Sequence, residues 1–209
     1  MAEPRFHLPD AAIIGRETMA DGASIRTLVL MHPKPVANLL LLTGRADFHE
    51  KWADAIASLW RAGFSIASFD WRGQGGSTRL TDTGAGHIDS FDTWLSDLDR
   101  LSDWALAALP GPYPLAPTSG RRWLALGHSM GGHLLTRWVA DPARESLPFR
   151  KELDGLVLAA PFFGLGGPVA VRTAALSVAP LQVARNALQR GLVGDAGPWG
   201  ATLVRFLFG

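Results

Sequence analysis

The sequence predicts an α/β fold: a mostly parallel sheet with helices on both faces, entered through an antiparallel pair of strands. Three observations predict it. From Asn38 onward, short apolar runs alternate with longer runs of helical spacing. Before them, two strand-like runs are separated by Asp21-Gly22, a turn signature. Around Ser129, an apolar run, a Gly-x-Ser-x-Gly and a helical run follow one another directly.

The elements follow in order. Ile13 to Thr18 and Ser24 to Leu30 read as the antiparallel pair. Asn38 to Thr43, with four consecutive leucines, reads as a buried central strand, since a strand covered on both faces has no polar side to alternate with. Glu50 to Arg61 sets Trp52, Ile56, Leu59 and Trp60 at helical spacing, and Gly63 closes that helix. Phe64 to Phe69 is the next strand, and the glycine-rich loop Arg72-Gly73-Gln74-Gly75-Gly76 follows it. Asp70 and Arg72 are expected to form an ion pair within that loop. Phe91 to Leu109 is an amphipathic helix carrying Trp94, Leu95, Leu98, Leu101 and Leu106, with Ser90 or Asp89 as its cap. Four prolines mark Pro110 to Gly120 as a loop. Trp123 to Leu126 is a short strand, Met130 to Ala140 a helix, and Leu153 to Ala159 a further buried strand. After Pro161 glycine, alanine and valine dominate, and short helices are expected.

Composition excludes several function classes. A chain of 209 residues that is 47% hydrophobic and 19% charged can bury a substantial core and is no disordered segment. Its 20 basic and 19 acidic residues leave a net charge of +1, so no global field attracts nucleic acid. The absence of cysteine removes disulfides, thiolate metal sites and a cysteine nucleophile. The first ten residues hold no apolar stretch of signal-peptide length. Gly164 to Ala184, the most membrane-like segment, is broken by Arg172 and Pro180 and is not read as a span. A cytoplasmic protein is expected, with room for peripheral contact at the inner membrane, and neither metal nor organic cofactor is called for.

The chemistry-bearing motif is Gly127-His128-Ser129-Met130-Gly131. Between a strand and a helix, this pattern is a nucleophile elbow: the serine is forced into a strained turn that lifts its hydroxyl clear of the sheet. Gly127 and Gly131 are glycines because a side chain at either place would strike the neighbouring backbone. Ser129 is the candidate nucleophile. It needs an oxyanion hole. One donor is expected from the backbone N–H of Met130, the other from the loop after the four-leucine strand, Thr43-Gly44-Arg45, through the N–H of Arg45.

Five linked segments then carry a resemblance. They are Leu39-Leu40-Leu41-Leu42-Thr43-Gly44-Arg45, Phe69-Asp70-Trp71-Arg72-Gly73-Gln74-Gly75-Gly76-Ser77, Gly86-His87-Ile88-Asp89-Ser90-Phe91, Leu126-Gly127-His128-Ser129-Met130-Gly131-Gly132 and Gly155-Leu156-Val157-Leu158-Ala159-Ala160-Pro161. In order and spacing this chain resembles the lysophospholipase and monoacylglycerol-lipase group of serine α/β-hydrolases, and is most similar to its bacterial lysophospholipase branch. Thr43-Gly44 departs from the His-Gly that most of the group carries there, a departure that branch shares. The resemblance implies the α/β-hydrolase fold and hydrolysis of a carboxylic ester of a lipid-like substrate, a lysophospholipid or a monoacylglycerol, through an acyl-enzyme.

In this fold the triad acid and base follow the serine. After Ser129 stand one histidine, His133, and the aspartates Asp141, Asp154 and Asp195. None follows a late strand. His133 lies on the serine's own helix, His87 precedes the serine in a segment read as structural, and Asp195 sits in a Gly-Asp-Ala-Gly turn. Residues 1–160 are therefore expected to form the core and 161–209 the start of a helical cap. The chain is expected to stop before the last core strands and the triad Asp and His, and to be inactive by itself. The cap's Ala, Val, Leu and Phe residues suit an acyl chain or a membrane surface. Two other readings stand beside this one. A non-catalytic binding protein can share the fold. A dinucleotide-binding oxidoreductase fails, because no Gly-x-Gly-x-x-Gly follows the first parallel strand.

Overall fold

A computed structural model describes residues 6–81, 86–109 and 122–163. The expected Pro110 to Gly120 loop and the cap from residue 164 onward lie outside the described residues. Within them the chain folds into six strands: β1 (Ile13–Thr18), β2 (Ser24–Leu30), β3 (Ala37–Leu42), β4 (Phe64–Phe69), β5 (Trp123–His128) and β6 (Leu153–Ala159). Four helices accompany them: α1 (Ala53–Arg61), α2 (Phe91–Ala108), α3 (Met130–Ala140) and the short α4 (Pro148–Glu152). The sheet order is β1-β2-β4-β3-β5-β6. β2 pairs antiparallel with both β1 and β4, and β3 to β6 run parallel.

The leucine run explains the centre. Side chains alternate across a strand, so Leu39 and Leu41 enter one apolar layer and Leu40 and Leu42 the other. The first layer is closed by Ile56 and Leu59 of α1. The second is closed by Trp94, Leu98 and Leu101 of α2 and by Leu134, Leu135 and Trp138 of α3. Helices thus cover both faces, as the alternating pattern requires.

Several boundaries shift. The segment from Glu50 does not enter an α-helix at once: His49–Trp52 form a tight 3-10 turn, and α1 begins at Ala53. β5 continues two residues past Leu126 to His128, because it stays paired with β6. Ser90 caps α2, its hydroxyl accepting the Asp92 N–H at 3.1 Å. Asp89 instead faces His87.

The expected Asp70–Arg72 ion pair does not form. Arg72 crosses to Asp97 on α2 (2.8 and 2.7 Å) and to Asp21 in the β1–β2 turn, while Asp70 lies 3.3 Å from Arg26 on β2. Each of the two, separated by Trp71, meets a partner on another element. These partnerships hold the Arg26 and Arg72 guanidinium groups protonated, the first chiefly through Glu50 and the second chiefly through Asp97.

Candidate active site

β5 delivers Ser129 to the carboxyl edge of the sheet, where ligands of open α/β sheets gather. Leu42 pairs with Gly127, so the segment after β3 lies beside His128-Ser129. A Cβ built on Gly44 would stand 3.2 Å from the Ser129 Cβ and 3.0 Å from His128 Nδ1. Ser129 is half-buried and sits between β5 and α3 with φ 50° and ψ −116°. For a non-glycine residue such a conformation costs on the order of 1–3 kcal/mol and must be enforced by its surroundings. Its N–H donates to the Ala159 carbonyl at the end of β6 (3.0 Å), and its carbonyl accepts from Phe162 (2.9 Å) and His133 (3.1 Å).

Gly127 and Gly131 are required sterically. A Cβ on Gly127 would lie 2.8 Å from the Gly131 carbonyl oxygen, and one on Gly131 would lie 2.5 Å from that of Leu42. Gly132 is as constrained, 2.8 Å from the Gly127 carbonyl oxygen by the same construction. The three glycines let α3 pack directly on the ends of β3 and β5.

The loop after β3 is arranged by Asp47, which the sequence reading passed over. Its carboxylate accepts the Gly44 N–H at 2.9 Å and pairs with Lys51 at 2.8 Å. Burial alone would raise this carboxyl, but bonds from Lys51, Trp52 and Gly44 outweigh it and keep the group ionised. The same carboxylate stands 3.6 Å from His128 Nδ1, whose ring is edge-on to Trp52 at 5.1 Å. The spacing of Asp47 and Lys51, four residues apart, was the available signal. With Gly44 engaged, the next amide, that of Arg45, has no acceptor among the described residues. Met130 opens α3, and a first-turn helical N–H has no partner within its own helix. These are the two amides the sequence reading named.

The histidines and aspartates are placed as follows. His87 Nε2 lies 2.9 Å from Asp89. The His133 ring packs edge-on against Phe91 (5.8 Å) and Phe163 (6.1 Å), and burial, helped by Arg137, lowers its pKa. His49 is fully buried, and neither ring nitrogen has a hydrogen-bond partner among the described residues. None of these rings bonds the Ser129 hydroxyl among the described residues. Asp141 caps a 3-10 turn through the Ala143 N–H, and Asp154 accepts the Trp123 N–H at 2.8 Å. Asp195 lies outside the described residues, among which no cluster of His, Asp and Glu is fit to hold a metal.

Residues 33–196 match the family described as serine aminopeptidase, S33. The chain is 30% identical over 128 residues to lysophospholipase L2 of Escherichia coli strain K12, covering 61% of this chain and 33% of that protein. It is 29% identical over 133 residues to phospholipase YtpA of Bacillus subtilis strain 168, covering 63% of this chain and 43% of that protein. The chain therefore spans less than half the length of these curated relatives. Among solved structures, a soluble variant of monoglyceride lipase from Saccharomyces cerevisiae, in complex with a substrate analog, superposes with a TM-score of 0.60 at 19% identity, over 83% of this chain and 52% of that one. A carboxyl esterase from Bacillus coagulans does so with a TM-score of 0.56 at 17% identity, over 88% and 56%. Both share the α/β-hydrolase fold.

Proposed function

This chain belongs to the serine aminopeptidase S33 family of α/β-hydrolases, and from that premise we propose that it is the nucleophile-bearing part of a serine hydrolase acting on carboxylic esters of lipids, lysophospholipids or monoacylglycerols. The observation that carries the proposal is the strained strand-to-helix junction at Ser129, pressed against the loop after β3. Ser129 Oγ attacks the ester carbonyl and loses its proton to a general base. The oxyanion forms against the N–H groups of Arg45 and Met130. The tetrahedral intermediate collapses to an acyl-enzyme with loss of the alcohol, and water releases the acid. The α3 N-terminus adds a favourable field for the developing negative charge.

The lipid class is supported by the names of the two bacterial relatives. Residues 161–209 as a cap over the site, peripheral contact with a membrane and a cytoplasmic location belong to the same reading. Among the described residues no helix is long and apolar enough to cross a membrane.

The test is covalent labelling of the full-length protein by a fluorophosphonate, followed by peptide mapping. The label should fall on Ser129. Ser129→Ala should abolish it and lower turnover of a lysophospholipid by about 10⁴ or more, with the fold intact. A folded wild-type protein that takes no label would favour a non-catalytic binding protein of the same fold. Labelling that survives Ser129→Ala would assign the nucleophile elsewhere.

A further inference from the structure

A cavity of about 380 Å³ opens between the loop after β3 and the glycine-rich loop after β4. Three arginines line it, Arg26, Arg45 and Arg79, together with Ala46, Gln74 and Gly75, and among the described residues no carboxylate is part of its lining. That volume falls in the range of small-molecule sites. It also lies at the carboxyl edge of the parallel strands, on the same loop whose Gly44 abuts Ser129.

The three guanidinium groups are not equivalent. Arg26 is matched by Glu50 and Asp70. Arg79 reaches the carbonyls of Gly73 and Gly75, bonds that fix its position without cancelling its charge. Arg45 lies over Gly86, whose added Cβ would stand 3.7 Å from its Nη2. Neither Arg45 nor Arg79 has a carboxylate partner among the described residues. Two guanidinium groups with no carboxylate partner among the described residues line one hollow, and their positive charge suits a phosphate, which guanidinium groups bind through charge-assisted hydrogen bonds.

The wall is also built to hold its shape. Ala46 takes a left-handed backbone conformation with φ 59°. Its N–H is held by the Gln74 side-chain oxygen. Gln74 is 2% exposed, and its Nε2 has no hydrogen-bond partner among the described residues. An amide donor left orphaned in a buried position costs on the order of 1–3 kcal/mol. Here it belongs to the residue that joins the two loops around the cavity.

We propose that this cavity is an anion subsite that takes the phosphate of the lipid ester's head group while the ester carbonyl lies at Ser129. The proposal rests on the function assigned above, and it selects phosphate-bearing esters, lysophospholipids, over uncharged monoacylglycerols. Arg45 then serves twice, its N–H toward the oxyanion and its guanidinium toward the phosphate.

The test uses the full-length protein and its Arg45→Gln/Arg79→Gln variant, which keeps every backbone N–H. Thermal unfolding first establishes that both are folded. The single Arg79→Lys variant keeps the charge should the double variant fail that control. Three probes are titrated: sn-glycerol 3-phosphate, inorganic phosphate and glycerol. The kcat/KM values for lysophosphatidate and for the monoacylglycerol of the same acyl chain are compared. The expected result is that glycerol 3-phosphate binds and glycerol does not, with the double variant binding about tenfold or more weaker. The ratio of the two kcat/KM values, charged over uncharged, should fall by about the same factor. Arg79→Lys should retain most of that preference. An unchanged ratio overturns the proposal, as does binding of glycerol 3-phosphate no stronger than that of inorganic phosphate, which would mark a site for free phosphate. Fluorophosphonate labelling of Ser129 separates the two claims. If it persists while anion binding is absent, the subsite falls and the hydrolase stands. If it fails while the arginine-dependent binding holds, the subsite stands and the hydrolase falls.

Discussion

At the scale of the residue, the site is made by a few positions where the backbone or a buried polar group is held against its preference. Ser129 is one, and the glycines around it show how little room the junction leaves. Gly131→Ala should therefore destabilise the protein by about 3 kcal/mol or more, because the new methyl meets the fixed carbonyl oxygens of Leu42 and Thr43 and not a flexible side chain. Urea denaturation would show it as a lowered midpoint. His49 is another. Its ring is buried beside Asp70, with Arg26 and Glu50 close by, and burial pushes its pKa down from 6.5 to about 4; Asp70 opposes that shift and Arg26 adds to it. The folded pKa lies below the unfolded one, so the unfolded chain takes up the proton first. Stability is intact above pH 6.5 and falls as pH drops through the window from 6.5 to about 4. His49→Gln should flatten the pH dependence there, removing about 3 kcal/mol of it. Equal slopes for the two proteins would show that another group titrates.

At the scale of the element, a polar network joins α2 to the β1–β2 turn and the loop after β4 beside the apolar layers. Arg72 binds the β1–β2 turn to α2 through Asp21 and Asp97, and its own carbonyl accepts the Trp94 indole N–H at 3.0 Å. Asp97 is 4% exposed. Arg72→Ala leaves that carboxylate buried and unpaired, and should cost about 3–5 kcal/mol. Asp21 is largely exposed, so Asp21→Asn should cost less than about 1 kcal/mol. Chemical denaturation of the two variants tests the asymmetry, and equal losses would refute it. The expectation of a local Asp70–Arg72 pair failed for a related reason. Proximity in sequence says nothing of side-chain direction in a turn, and the stronger partner of each lies on another element.

At the scale of the whole molecule, the sheet separates two apolar layers, and its centre carries more of the stability than its edges. Leu41 is fully buried on β3, whereas Ile13 on the edge strand β1 is 59% exposed. Leu41→Ala should cost about 2–5 kcal/mol, and Ile13→Thr should stay within about 0.5 kcal/mol, since threonine also suits an extended backbone. Thermal or urea unfolding of both variants would expose a sheet whose edge matters as much as its centre.

The sequence by itself determined the order of the six strands and the three longer helices, though not the short α4, as well as the two-faced burial of the leucine strand and the strand-to-helix junction at Ser129. Those features are local: periodicity, glycine placement and strand-then-helix order are written in neighbouring residues. Only the tertiary structure decided which charges pair across elements, that Asp47 occupies the Gly44 amide, that the buried His49 ring nitrogens have no hydrogen-bond partner among the described residues, and that arginines from three segments line one cavity. Each depends on side chains far apart in sequence meeting at one edge of the sheet. The direction in which a side chain leaves its turn, which sets those meetings, follows from packing and not from composition or spacing.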